Sequence, residues 1–373
     1  MCTLQYRKLG KTGVDVSVLG FGIMRLPIIE GKVDREKSFE MINYAYENGV
    51  NYFDTAENYL SGESESVLGE AIKNYRDKIN IATKVGIWHV KDGIQDVENL
   101  IEGQLKRLKT DYIDFYMIHA LTDKRWKTFE QIGIIDFFEK KKRQGIIKHY
   151  GFSYHGTASL FNEIVTKYDW EFAQIQMNYV DINMQAGISG LQYADNNGLG
   201  TIIMEPLRGG QLVNEANSEI KSILHNANPD KSLAEWGFEF LFNRNDVDIV
   251  LSGMNHIDQV KENIKIANNS YIGMLSVKET EALYKVSEVY RKLIKVPCTT
   301  CRYCGICPQN INIYNAFMQY NNAVTMDFES AKMNFNKNKY SINSCIYCRK
   351  CVDVCPQGID IPKVLKEASN FFQ

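Results

Sequence analysis

Before residue 298 this chain of 373 residues has a single cysteine, Cys2. It also lacks an excess of charge of either sign: 43 Lys and Arg stand against 45 Asp and Glu, a formal net charge of −2. A surface built to hold nucleic acid or an anionic membrane usually shows a basic excess, so the composition speaks against both partners. The sharpest basic cluster, "KKKR" at 140–143, follows "IIDFFE" at helical spacing and reads as the solvated face of a helix. No window approaches the ~18–20 apolar residues of a membrane helix, and the opening "MCTLQYRKLGKTG" lacks the apolar stretch of a signal peptide. The expected compartment is the cytoplasm. Thiols stay reduced there, and clustered cysteines usually mean metal or redox work rather than disulfides.

Eight of the nine cysteines lie beyond residue 297, in two groups: Cys298, Cys301, Cys304, Cys307 and Cys345, Cys348, Cys351, Cys355. Their flanks repeat, "CPQNINI" after the first and "CPQGIDI" after the second. This is an internal duplication, which makes one small pseudo-symmetric domain. The second group reads C-x2-C-x2-C-x3-C-P, the spacing that holds a [4Fe-4S] cluster in bacterial ferredoxins. Short spacers let three thiolates from one loop cap one face of the cube. Zinc prefers four tetrahedral thiolates, usually as two separated CxxC pairs, and fits the pattern less well.

Residues 296–373 resemble the two-cluster ferredoxin-type module. The resemblance implies that Cys298, Cys301, Cys304 and Cys355 hold one cluster, and that Cys345, Cys348, Cys351 and Cys307 hold the other. The first group departs from the pattern. It ends C-x2-C-P, one residue short, which leaves open a single-cluster module whose first site is damaged or filled by zinc. Between the groups, "IYNAFMQYNNAV" repeats its apolar residues at helical steps and predicts a helical insert.

The 45% of hydrophobic residues suffices for a sizeable core, and the length suggests one large domain plus a smaller one. Residues 14–268 alternate regularly. Short β-branched or aromatic runs are "VSVLGFG", "NYFDTA", "INIATKV", "YIDFYMIH", "IKHYGFS", "FAQIQMN", "GTIIMEP" and "VDIVLSG". Amphipathic stretches such as "EKSFEMINYAYENG", "SVLGEAIKNY", "VENLIEGQLKRL" and "SLAEWGFEFLFNR" separate them. Strand–helix repetition of this kind implies parallel strands with helical crossovers. Eight such units close a (β/α)8 TIM barrel, whose usual length is ~250 residues. A Rossmann sheet is the competing α/β fold, but "GFGIMR" lacks the third glycine of GxGxxG. The expected architecture is thus a (β/α)8 barrel over 1–295, followed by a mostly helical, two-cluster ferredoxin-like domain over 296–373.

Chemistry in such barrels sits at the carboxyl ends of the strands. Those ends supply Asp54 and Tyr59 after the second strand, Lys84 at the end of the third and His119 at the end of the fourth. A carboxylate, a phenol, an ammonium and an imidazole thus converge on one rim. "NYFDTAENY", "IATKV" and "DFYMIHAL" resemble the catalytic tetrad of the aldo-keto reductases. "YRKLGKTGVDVSVLGFGIMRLP", "GFSYH", "AQIQMNY" and "EPLRGG" follow that family in order, over about residues 4–268. With its cysteines, the whole chain resembles the iron–sulfur branch of the family.

The resemblance implies reduction of an aldehyde or ketone by NAD(P)H, with Tyr59 protonating the carbonyl oxygen. A free phenol, with a pKa of ~10, is too weak an acid for that at neutral pH. An ammonium at Lys84 favours the phenolate, Asp54 orients and pairs with Lys84, and His119 fixes the carbonyl oxygen. For the cofactor, the resemblance implies Ser153 and Gln174 at the carboxamide, with Gly22, Met24 and Asp54 in the same set. Tyr154 follows Ser153 where many members have Asn. Met204 stands where many stack a tyrosine on the nicotinamide, and methionine makes a less defined platform. The loop "EPLRGGQL", with Pro206, Leu207, Gly209 and Gly210, and the stretch after "SGMN", with Gly253, sit where barrels place phosphates. Gly253 and Gln259 occupy places where NADP-preferring members have basic residues. Glu262 and Asn263 remain for the adenine, and Lys261 and His256 are the available basic substitutes. Met24, Arg25, Trp88 and Leu121 fall where loops wall a substrate pocket.

Three readings of the clusters follow. They are structural or redox-sensing parts of a carbonyl reductase, or they pass single electrons from a ferredoxin-like carrier, or the chain is a non-catalytic sensing subunit. The second requires a flavin or another one-to-two-electron converter, for which no motif is legible. The complete tetrad counts against the third.

Overall fold

Runs rich in β-branched and aromatic residues that are apolar on both faces suit parallel strands covered by helices. Eight of them form strands here: β1 Leu19–Gly22, β2 Tyr52–Asp54, β3 Asn80–Val85, β4 Ile113–Leu121, β5 Ile147–Tyr154, β6 Phe172–Gln176, β7 Gly200–Met204 and β8 Ile249–Gly253. All nine residues of β4 are buried. Each strand pairs in parallel with the next, and β8 returns to β1 through Gly253 opposite Gly22, closing the barrel. Gly22 faces Asp54, and Asp54 faces Ala82, so these strand ends share one rim. The (β/α)8 expectation holds. The structure is a computed structural model and describes residues 4–213, 217–337 and 342–373; Cys2 lies outside them.

Inside the barrel Tyr52, Phe115, Met117, Phe172, Ile202 and Ile249 form an apolar core that also takes in Leu9 and Val16. The outer helices follow the predicted periods. Arg35–Glu47 starts at Asp34, whose side chain accepts from Lys37 N. Ile94–Leu108 buries Val97, Ile101, Gln104 and Leu108, three or four residues apart on one face.

The helix Ile134–Arg143 carries the "KKKR" run, with Lys140 and Arg143 exposed as expected and Lys141 the exception. Lys141 is 4% exposed and pairs with Glu98. It follows the buried Phe137 by one turn, so its stem joins the apolar stripe while its ammonium reaches a carboxylate.

The chain forms two compact units. The first holds the barrel strands and runs through Met177, with Asp181–Pro206 and Phe238–Met274. The second gathers Asn178–Val180, Leu207–Gly237 and Leu275–Gln373. Within it, the helix Val277–Leu293 begins with a reciprocal capping box between Ser276 and Glu279. The insert between the cysteine groups is helical, as the periodicity predicts, over Ile313–Thr325 and Phe328–Asn336. These helices and Ile361–Phe371 enclose a small core of Val296, Phe317, Phe335, Leu365 and Phe372, with Cys298, Cys304 and Cys351 among its buried members.

Candidate active site and cysteine loops

Lys84 is the centre of the rim constellation. Its side chain is fully buried, and its ammonium donates to Asp54 Oδ1 and to Thr55 O, both at 2.7 Å. The same nitrogen lies 5.0 Å from the centre of the Tyr59 ring. Tyr59 in turn meets the His119 ring edge-on at 5.7 Å. The four residues predicted from strand ends are therefore brought together, each less than a tenth exposed.

Burial pushes the Asp54 carboxyl above the usual carboxylate range, against the opposing pull of Lys84. Burial, then the charge of Lys84, holds His119 well below the ordinary histidine range. Its imidazole is thus neutral at physiological pH and can act as a hydrogen-bonding group rather than a cation. Backbone strain collects beside these residues. Leu60 and Ser61, just after Tyr59, and Ala120, just after His119, all have left-handed φ, at 52°, 56° and 52°. Non-glycine residues persist there only where the surroundings hold them.

Among the described residues, the buried oxygens without a hydrogen-bond partner include Asp54 Oδ2 and Gln174 Oε1. The Gln174 amide nitrogen is turned toward Met204 Sδ at 3.7 Å, which leaves its acceptor open. Ser153 Oγ accepts from Ala120 N at 2.7 Å and keeps a hydroxyl proton to donate. An open acceptor beside an open donor suits a primary carboxamide, the polar group of nicotinamide, so the residues present fit that ring.

Several cofactor residues expected from the sequence are engaged within the protein. Asn263 is buried and donates to Ser252 Oγ at 3.0 Å. Gln259 Oε1 accepts from Asn255 N, and His256 caps the helix Ile257–Asn269 through Asp258 N. Lys261 lies over the Tyr44 ring at 5.8 Å, while Glu262 is exposed. Arg25 pairs with Glu205 at 3.8 Å. Met24 lies in the turn Ile23–Arg25 directly after Gly22. Pro206 closes a segment of the first unit, whereas Leu207, Gly209 and Gly210 belong to the second.

Sequence reasoning missed Glu57. One of its oxygens accepts from Trp88 Nε1 at 2.9 Å and contacts His89 Nε2 at 2.7 Å. The Trp88 ring folds back over Gly86, where any Cβ would stand 2.2 Å from it, and meets His119 edge-on at 5.0 Å. Behind Lys84, Gln104 donates to its carbonyl and to Glu65, a fully buried carboxylate that also holds Thr83 and Arg107. "DTAENY" contains Glu57, but nothing in its spacing points to a tryptophan thirty-one residues away.

In the second unit the sequence duplication reappears in the backbone. Thr300 and Arg302 flank Cys301 with φ of 55° and 68°; Tyr347 and Arg349 flank Cys348 with 56° and 60°. Alternating right- and left-handed residues turn successive N–H groups inward, a concavity used at iron–sulfur sites. The short spacer of the first group has a physical counterpart. Tyr303–Ile306 is a 3-10 turn, whereas Lys350–Asp353 is α-helical. A 3-10 turn rises further per residue than an α-helix, which suits a spacer one residue shorter.

Burial pushes the Cys304 thiol up to about 12, with smaller contributions from Cys298, Cys355 and Cys351. Burial likewise pushes Cys351 to about 11, with Cys307, Cys345 and Cys348 around it. Among the described residues no group of three or more His, Cys, Asp or Glu side chains is arranged to hold a metal ion. Also among them, no helix is long and apolar enough to cross a membrane.

Comparison with known proteins agrees with both halves. Residues 18–284 match the aldo/keto reductase family, and residues 297–359 match a 4Fe-4S dicluster domain. The chain is similar to the uncharacterized oxidoreductase YqkF of Bacillus subtilis, at 27% identity over 77% of this chain and 99% of the relative. It is similar to L-galactose dehydrogenase of Arabidopsis thaliana at 26%, over 71% and 88%. Among solved structures it resembles an aldo-keto reductase of Bacillus halodurans in its holo form, with a TM-score of 0.63, 26% identity and coverage of 76% and 96%. An aldo-keto reductase of Klebsiella pneumoniae in complex with NADPH shares the fold, at 20% identity and a TM-score of 0.63 over 76% and 95%.

Proposed function

Since the chain belongs to the aldo-keto reductase family and carries a 4Fe-4S domain, we propose that it reduces an aldehyde or ketone to the alcohol with NAD(P)H, using Tyr59 as proton donor. The observation that carries this reading is the buried Lys84–Asp54 pair beside the Tyr59 ring. Reduced nicotinamide, when bound, supplies a hydride to the carbonyl carbon. Tyr59 gives its proton to the carbonyl oxygen, and the nearby ammonium of Lys84 stabilises the phenolate left behind. Neutral His119 donates a hydrogen bond to the same oxygen, and Asp54 keeps Lys84 aimed. Ser153 and Gln174 hold the carboxamide. Met204 would help hold the nicotinamide ring.

The eight cysteines hold two [4Fe-4S] clusters in the crossed sets, within a module over residues 296–373 that follows a reductase portion over 1–295. A reducing compartment such as the cytoplasm suits their assembly. In this reading the clusters stabilise the fold or report redox state. A second reading, one-electron exchange with a ferredoxin-like carrier, is favoured by one observation: Cys348 is exposed beside exposed Ile346 and Tyr347.

The test is single-turnover oxidation of NAD(P)H with a panel of aldehydes and ketones. Tyr59→Phe should slow the step by ~10²–10⁴ while leaving dinucleotide affinity nearly unchanged. An undiminished rate would remove Tyr59 from the mechanism.

A further inference from the structure

Glu57 stands two residues before Tyr59, on the loop that follows β2, and is 7% exposed. Its Oε1 accepts from Trp88 Nε1 at 2.9 Å and contacts His89 Nε2 at 2.7 Å. Its Oε2 is buried and meets no hydrogen-bond partner. A carboxyl group held with one oxygen unsatisfied is costly to bury, and its persistence calls for a reason. The reason lies in what its other oxygen ties down: Trp88 and His89, in the turn Ile87–His89 after β3. Glu57 thus joins that turn to the loop bearing Tyr59.

The indole is held on three sides. Its N–H is taken by Glu57, its ring lies on Gly86, and it meets the His119 ring edge-on at 5.0 Å. A Cβ on Gly86 would run into Cε2 and Cζ2 of that ring. Gly86 has φ of −94° and ψ of 138°, a backbone that any residue adopts, so it is the indole that demands glycine there. His119 in turn meets the Tyr59 ring at 5.7 Å. The line of contacts from Glu57 through Trp88 and His119 therefore ends at the phenol. All of these residues belong to the first unit.

We propose that Glu57 is a positioning residue of the reductase site: by pinning the Trp88 indole, it fixes the aim of the His119 imidazole at the carbonyl oxygen. The inference rests on the reading above that His119 hydrogen-bonds that oxygen. Such a bond strengthens as the oxygen gains charge, so misaim weakens the transition state more than the bound substrate. The signature is a fall in kcat with little change in KM.

The test uses full-length protein loaded with its clusters. Glu57→Met keeps side-chain length and removes the acceptor. Its kcat for a reducible aldehyde should fall about tenfold, with KM for the aldehyde and Kd for NAD(P)H within about twofold of wild type. Trp88→Phe loses the same hydrogen bond from its other end and should show the same loss. The double variant should be no slower than either single, because one interaction is removed in all three. The indole N–H resonance of Trp88 should shift and exchange faster in Glu57→Met, while those of Trp126, Trp170 and Trp236 stay in place. Gly86→Ala displaces the ring, leaves Glu57 intact and should lower kcat to the same degree. An unmoved Trp88 resonance in Glu57→Met, or undiminished kcat in Glu57→Met or Gly86→Ala, overturns the inference. A double variant whose loss is the product of the two singles overturns it as well. Wild-type protein that reduces no aldehyde or ketone overturns the reading of the site itself.

Discussion

Lys84 donates to Asp54 Oδ1 at 2.7 Å, and neither side chain is more than 5% exposed. Such a pair is costly to assemble and costlier to break, because removing one partner leaves the other charge buried and uncompensated. Here the geometry is satisfied further by Thr55 O, which takes a second ammonium proton. The pair is thereby fixed beside the phenol rather than free to find solvent.

Lys84→Met should destabilise the barrel by about 3–5 kcal/mol, the cost of stranding the Asp54 carboxylate. Adding Asp54→Asn to it should recover most of that loss, since no charge is then buried. Both variants should be inactive. Urea unfolding of the two singles and the double closes the cycle. A double variant no more stable than Lys84→Met would show that the charge pair is not what matters.

Two imidazoles, the buried His119 and the half-buried His155, set a pH dependence. His119 lies well below the histidine range and His155 is lowered to about 4, in both cases chiefly by burial. Their folded pKa values lie below the unfolded value near 6.5. As pH falls through 6.5 the unfolded chain binds protons that the folded chain refuses, so stability falls with pH. By pH 5.5 each imidazole should cost about 1 kcal/mol relative to pH 7. His155→Gln, outside the tetrad, should lose less stability over that interval than wild type. Equal slopes for the two would show that His155 is protonated in the folded state.

The 3-10 turn at Tyr303–Ile306 predicts that the short-spaced first group is a working site. Anaerobic reconstitution should give about eight iron per chain, four for each cubane. Cys301→Ser should lower the count toward about four. A wild-type count of four that Cys301→Ser does not change would leave the first group without a cluster.

The strands, the helical insert and the rim tetrad were legible in the sequence because each depends on a local period or on position at a strand's end. "DFYMIHAL" is apolar on both faces, so it makes a central parallel strand whatever surrounds it, and its register fixes where His119 emerges. The cysteine spacings were equally local, since three ligands come from one loop. What the sequence alone did not decide involves partners far apart in the chain. Glu57 pins Trp88 and His89, Gln211 reaches the carbonyl of Cys298, and Lys141 is buried because Glu98 meets it. Glu57, Gln211 and Lys141 are polar residues that carry no periodic signal. Their roles follow from which backbone or carboxylate the fold sets within 3 Å of them, and that was decided only when the helices and loops closed on one another. The one-residue deficit before Cys307 belongs to the same class. As a spacing it left open a single-cluster module with a damaged or zinc-filled first site, and the 3-10 turn that accompanies the shorter spacer shows only in the folded chain.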